Sequence, residues 1–295
     1  MKNIFKGTGP AVITPFKSEN LSVDFHALEN LLEFQIDKGI DFIVALGTTA
    51  ESVTLSHEER HQVYQFIKEI NKGRLPFMVG FGGNNTAEVI RHIKSADFNG
   101  IDAILSVVPY YSKPSQEGLY RHFMALAEVC PVPIILYNVP SRCGVNMTAD
   151  TTLRLAKTGK FMGVKEASGN LEQIKRIIEE SPEGFGVISG DDSIIYDICN
   201  MGGDGVISVM ANALPAETVE LTNKSLDHIA GAEELQKKYA ELIRLLFVEG
   251  SPAGVKSILH QKGMIENVLR LPLCPVSDAI YEAIAVDLKK VENAG

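Results

Sequence analysis

Short apolar runs recur along the chain: Gly9 to Thr14, Asp41 to Leu46, Pro76 to Gly80, Ala103 to Val107, Pro133 to Tyr137, Phe161 to Lys165, Gly186 to Ser189 and Gly205 to Ser208. Each has the length of a strand and is nearly continuous in hydrophobicity, as parallel strands covered on both faces must be. Amphipathic stretches lie between them. Val63, Phe66, Ile67 and Ile70 fall at i, i+3, i+4 and i+7, and Leu171, Ile174 and Ile178 form a second stripe. Ser56 with Glu59 makes a capping-box pattern, and Pro215 suits the first turn of a helix after the eighth run. Strand and helix thus alternate about eight times, which predicts an α/β fold of the closed (β/α)8 or TIM barrel type; an open doubly wound sheet is the competitor, and the strand count favours the barrel. Beyond this the strands stop. Ala232 to Val248, Pro252 to Lys262 and Ser277 to Lys290 read as consecutive helices, so residues 1–225 are expected to form a catalytic barrel and 226–295 a C-terminal helical extension.

Composition narrows the function. A chain of 295 residues that is 45% hydrophobic can bury a large core, and its net charge of -9 gives no attraction for nucleic-acid phosphates or anionic lipid. A small-molecule substrate is expected, with no nucleic acid and no membrane. Cys130, Cys143, Cys199 and Cys274 are scattered without a C-x-x-C pair, which fits idle thiols in a reducing compartment. Met1 to Pro10 has no apolar signal region and no apolar run approaches the roughly 20 residues of a membrane span, so a cytoplasmic location is expected.

In a (β/α)8 barrel the chemistry sits at the strand C-termini and the loops after them. There the sequence places Thr48 and Thr49, Tyr110 and Tyr111, Tyr137, Lys165, and Gly190 with Asp191. Lys165 ends an apolar strand. Desolvation there disfavours the ammonium, and lowering a lysine from about 10.4 to near 7 takes roughly 4 to 5 kcal/mol. The neutral amine so produced is a nucleophile for carbonyls; the structural alternative is a lysine paired with Glu166. Tyr137 would stand on the neighbouring strand at the same level as a proton donor and acceptor, with hydroxyls from Thr48 and Tyr111 beside it. Alternatively, its ring caps the core. Gly47 to Ser52 is a small, hydroxyl-rich turn whose backbone N–H groups could hold a carboxylate, or simply a turn feeding the Ser56 cap. Arg142, in the loop after Tyr137, suits bidentate capture of a second carboxylate, or plain solvation.

Two motifs point elsewhere. His57-Glu58-Glu59-Arg60-His61 matches the zinc pattern H-E-x-x-H, but it starts in the first helical turn after Ser56, on the outside of the barrel, with no evident third ligand. Gly80-Phe81-Gly82-Gly83-Asn84 resembles a dinucleotide loop faintly, yet Asn85 stands where the last glycine belongs. No metal and no cofactor are expected.

Taken jointly, five motifs resemble the dihydrodipicolinate synthase/N-acetylneuraminate lyase superfamily of class I aldolases. They are Gly47-Thr48-Thr49-Ala50-Glu51-Ser52, Pro109-Tyr110-Tyr111 with Pro114 to Gly118, Tyr137-Asn138-Val139-Pro140-Ser141-Arg142, Gly163-Val164-Lys165-Glu166-Ala167 and Ser189-Gly190-Asp191-Asp192. The similarity spans nearly the whole chain and is closest to the synthase branch. It implies a lyase that joins pyruvate to L-aspartate 4-semialdehyde, in the diaminopimelate route to lysine. Lys165 would form the Schiff base and Tyr137 would move protons, with Thr48 and Tyr111 completing the relay. Tyr111 resembles the family tyrosine that reaches into the adjacent subunit. Thr49 would hold the pyruvate carboxylate and Arg142 that of the semialdehyde, and the Gly190 and Ile207 carbonyls would face the cavity. Arg142 separates this reading from the alternative, a pyruvate aldolase acting on N-acetylneuraminate or a 2-keto-3-deoxy sugar acid. The resemblance also implies a homotetramer built as a dimer of dimers, and inhibition by L-lysine in a cleft lined by Ser52, His57, Asn84, Glu88 and Tyr110. Ala50 and Val108 depart from the usual glycine and threonine, and Arg60 and Val53 from commoner residues beside the inhibitor cleft.

Overall fold

A computed structural model describes residues 3–293. Eight parallel strands form one sheet: β1 (Gly7–Pro10), β2 (Ile43–Ala45), β3 (Phe77–Gly80), β4 (Ala103–Val107), β5 (Ile134–Asn138), β6 (Phe161–Glu166), β7 (Gly186–Ser189) and β8 (Gly205–Ser208). From β2 to β8 each pairs with its neighbour in sequence, and β1 pairs with β8. The Val12 N–H donates to the Val44 carbonyl at 3.0 Å, a single bridge that closes β1 on β2. The expected barrel is therefore the observed fold.

Helices fill the connections: α1 (Phe25–Asp37), α2 (His57–Asn71), α3 (Thr86–Ser95), α4 (Gln116–Ala127), the single turn α5 (Pro140–Cys143), α6 (Ala149–Ala156), α7 (Leu171–Glu180), α8 (Ile195–Asn200) and α9 (Pro215–Leu226). Ser56 accepts from the Glu59 N–H at 3.1 Å and Glu59 accepts from the Ser56 N–H at 2.9 Å, so the capping box at the start of α2 forms in full. Three further helices follow, α10 (Ala232–Phe247), α11 (Ala253–Gln261) and α12 (Asp278–Asn293). Their Leu242, Leu246, Ile258 and Ile284 are fully buried in the same apolar cluster as Val12, Leu28, Ile43 and Val79. At about 1.5–3 kcal/mol for each buried aliphatic side chain, that shared core binds the extension firmly to the barrel.

One strand lies where the sequence did not place it. The first runs from Gly7 to Pro10 rather than from Gly9 to Thr14. The side chain of Asn212, which follows β8, takes over the next backbone groups: it donates to the Ala11 carbonyl at 2.9 Å and accepts from the Ile13 N–H at 3.0 Å. An amide side chain offers both halves of a backbone hydrogen bond, so it can end a ladder without leaving either group unpaired. β2 also stops short, because Leu46 turns to φ +55.

Candidate active site

Side chains alternate across a strand, so adjacent Lys165 and Glu166 on β6 point to opposite faces. Glu166 is fully buried on its own side. It accepts from Asn138 Nδ2 at 3.1 and 3.2 Å and from the Ser168 N–H at 2.8 Å, which leaves Lys165 without that partner. Lys165 lies opposite Tyr137 in the β5–β6 register, and its Nζ sits 4.4 Å from the centre of the Tyr137 ring. Burial pushes the ammonium down to about 8; the Asp192 carboxylate pulls it back up, and the Arg142 guanidinium pushes it down again. Burial likewise raises the Tyr137 phenol, opposed by Arg142 and by the Thr48 hydroxyl.

Asp192 is itself buried and pushed up to about 6 by desolvation. One carboxylate oxygen accepts from the Val209 and Met210 N–H groups at 3.0 and 2.9 Å, and these bonds fix it beyond the end of β8. Gly190, after β7, runs against the stem of the lysine. A Cβ there would stand 2.8 Å from Lys165 Cε, so only glycine lets the two segments meet.

A cavity of about 620 Å³ opens above this amine. Lys165, Tyr137, Thr48, Thr49, Arg142 and Gly190 all line it, so the structure gathers these six residues from five loops and strand ends. Ile207 does not line it. It is buried within β8, two residues below Val209, which does reach the cavity. Tyr111 is also outside: it is 89% exposed, at φ +72, on the loop after β4. The far wall belongs to α10, through Gln236, Lys237, Ala240, Ile243, Arg244 and Phe247. Gln236 anchors that helix to the β7 loop, donating to the Asp192 carbonyl at 3.0 Å and accepting from the Tyr196 N–H at 3.2 Å. Nothing in the strand pattern pointed to this wall.

The Gly47–Ser52 turn is two short 3-10 turns, Thr48–Ala50 and Ser52–Thr54, flanked by left-handed residues at Leu46 (φ +55) and Glu51 (φ +54). Ala50 carries no positive φ and its carbonyl accepts from the Thr14 hydroxyl at 2.7 Å, so alanine fits where glycine is commoner. The strain falls on Glu51 instead. That residue is fully buried, paired with Lys256 of α11, and its second oxygen accepts from the Arg270 N–H at 3.0 Å. A lysine inside the apolar run Ala253–Gln261 was the available sequence signal for this pair.

The five residues expected to line an inhibitor cleft separate. Ser52 and Tyr110 line a second cavity, of about 250 Å³, which shares Thr48, Tyr137, Val139 and Arg142 with the first. His57 lines a smaller one between α2 and α3, of about 60 Å³. Asn84 and Glu88 are exposed and line neither, and Glu88 pairs with Arg91 at 3.1 Å. In the H-E-x-x-H segment His61 Nδ1 lies 2.8 Å from the Tyr64 hydroxyl, and the His57 ring stacks 5.0 Å from His92. Among the described residues there is no group of three or more His, Cys, Asp or Glu placed to hold a metal ion, and no helix long and apolar enough to cross a membrane.

The chain is similar to known proteins over nearly its whole length. The chain is 50% identical over 283 residues to the 4-hydroxy-tetrahydrodipicolinate synthase of Azobacteroides pseudotrichonymphae, covering 95% of each chain. It is 49% identical over 288 residues to that of Parabacteroides distasonis, covering 97% of each. A crystal structure of the chloride-inhibited dihydrodipicolinate synthase of Acinetobacter baumannii, complexed with pyruvate, superposes with a TM-score of 0.94 at 40% identity, over 98% of this chain and 99% of that one. The lysine-bound enzyme of Cyanidioschyzon merolae superposes at 0.94 with 34% identity, over 99% of both. The family model described as dihydrodipicolinate synthetase matches residues 4–291, and the chain belongs to that family.

Proposed function

We propose that this chain is a lyase of the class I aldolase type that condenses pyruvate with L-aspartate 4-semialdehyde through a Schiff base on Lys165, as a 4-hydroxy-tetrahydrodipicolinate synthase does. The observation that carries this reading is a buried amine, held to about 8, facing a buried phenol across adjacent strands at the floor of a cavity. Near neutral pH a usable fraction of such an amine is uncharged.

The neutral Lys165 amine attacks C2 of pyruvate. Tyr137, with Thr48 beside it, passes a proton to the carbinolamine oxygen, which leaves as water and gives the iminium. Loss of a C3 proton yields the enamine, whose carbon attacks the aldehyde of the semialdehyde and forms the new C–C bond. The amine of that second substrate then adds to C2 and displaces Lys165, closing the ring and freeing the enzyme. Thr49 and the N–H groups of its turn hold the pyruvate carboxylate, and Arg142 the carboxylate of the semialdehyde. The Gly190 carbonyl faces the reacting groups, and that of Ile207 belongs to the β8 wall beneath them. Tyr111, exposed and outside the lining of its own cavity, serves a neighbouring copy, which accords with a homotetramer made as a dimer of dimers. L-lysine inhibits by occupying the cavity of Ser52 and Tyr110; His57, Asn84 and Glu88, which do not line that cavity, would have to be brought to it by a neighbouring copy or by movement of α2 and α3. The enzyme works in the cytoplasm within diaminopimelate and lysine biosynthesis.

Borohydride treatment in the presence of pyruvate, followed by peptide mass spectrometry, tests the reading. A reduced pyruvate adduct on Lys165 is expected; an adduct elsewhere, or none, refutes it. Turnover unchanged at millimolar L-lysine would remove the inhibitor from the account.

A further inference from the structure

Behind the Thr48–Thr49 turn lies a set of charges that the proposed reaction does not use. Glu51 and Lys256 are both fully enclosed, and each makes a second contact: Glu51 with the Arg270 N–H at 3.0 Å, Lys256 with the Val268 carbonyl at 2.9 Å. The Lys256 and Arg270 cations both sit 4.4 Å from the centre of the Phe16 ring. Desolvating two such ions costs several kcal/mol each, and apolar residues of similar volume would stabilise a core as well or better. Stability alone therefore does not explain this pair at this place. Direction does. A carboxylate engaged on both oxygens fixes the backbone of Glu51, a residue in the left-handed region, and with it the turn immediately before it. From the other side Thr14 holds the Ala50 carbonyl, so the turn is clamped at both ends of one peptide unit.

We propose that Lys256 is a positioning residue that acts through Glu51 to hold Thr48 and Thr49 in the geometry that receives the pyruvate carboxylate. The ligand's identity rests on the function proposed above; the clamp itself does not.

The test uses the full-length protein and follows borohydride-trapped adduct against pyruvate concentration, alongside steady-state rates and melting temperature. In Lys256→Met the buried Glu51 carboxylate loses its partner. Half-saturating pyruvate is expected to rise about tenfold or more, while kcat at saturation stays within about threefold. In the double variant Lys256→Met/Glu51→Gln the amide oxygen still accepts from Arg270 and no charge is stranded, so half-saturation should return to within about threefold of wild type. If Lys256→Met proves insoluble, Glu51→Gln alone takes its place, and it should bind pyruvate more weakly than the double variant. A merely structural pair would lower the melting temperature and leave half-saturating pyruvate unchanged in every variant, which overturns the proposal. Absence of any adduct in the wild type would instead overturn the pyruvate reading, and this inference with it.

Discussion

Burying Lys165 carries a cost beside the role proposed for it. Its ammonium is pushed from 10.5 to about 8 by burial, a difference worth roughly 3 kcal/mol when the group is charged in both folded and unfolded chains. The folded state holds its proton less tightly than the unfolded chain, so the penalty is fully present below pH 8 and fades as pH rises through about 8 toward 10.5. A Lys165→Met variant should therefore be inactive yet more stable than the parent in urea titrations, with the margin largest at neutral pH and gone only above about pH 10.5. Adduct formation on the intact enzyme should show the complementary dependence, rising about tenfold per pH unit below 8 and levelling above it. Tyr137→Phe keeps the ring beneath Nζ but removes the hydroxyl, and a loss of about 10²- to 10⁴-fold in kcat is expected, measured in a coupled assay. These two residues were readable in sequence because a strand end in a barrel has a known address. That Glu166 turns to Asn138, and not to Lys165, followed from the pleat but needed the buried network to be seen.

At the scale of elements, the turn after β2 shows what a motif can and cannot say. Alanine in place of the usual glycine raised the question of backbone geometry, and the answer is that the left-handed residues are Leu46 and Glu51. Ala50→Gly is accordingly expected to cost about 0.5–1 kcal/mol in thermal or urea unfolding, through lost chain stiffness, and to leave pyruvate half-saturation unchanged. Strand positions were legible because both-face burial writes a continuous apolar run. The displaced first strand was not, since its end is set by Asn212, some 200 residues away in the chain, and long-range side-chain pairing leaves no local periodicity. For the same reason α10 read as a helix but not as a wall of the cavity.

For the whole molecule, the apolar cluster that joins barrel and extension means that the two do not part cleanly. Ending the chain at residue 225 would expose the partners of Leu242, Leu246, Ile258 and Ile284 and leave the Glu51 carboxylate buried without Lys256. Such a truncation should yield insoluble protein, or a species without near-ultraviolet circular dichroism, where a barrel independent of its extension would stay folded. Tyr111, at 89% exposure beside a reactive cavity it does not enter, makes light scattering the natural companion measurement: a species of four chains is expected, and a monomer at working concentration would leave that tyrosine without a role.

Thr48, Tyr137, Val139 and Arg142 are common property of two cavities. Side chains held in common cannot be pressed from one cavity without being felt in the other. Whatever tenant the smaller chamber takes, thermodynamic reciprocity requires that it and the keto acid alter one another's dissociation constants by the same factor. Calorimetric titrations run in both orders would give one number twice.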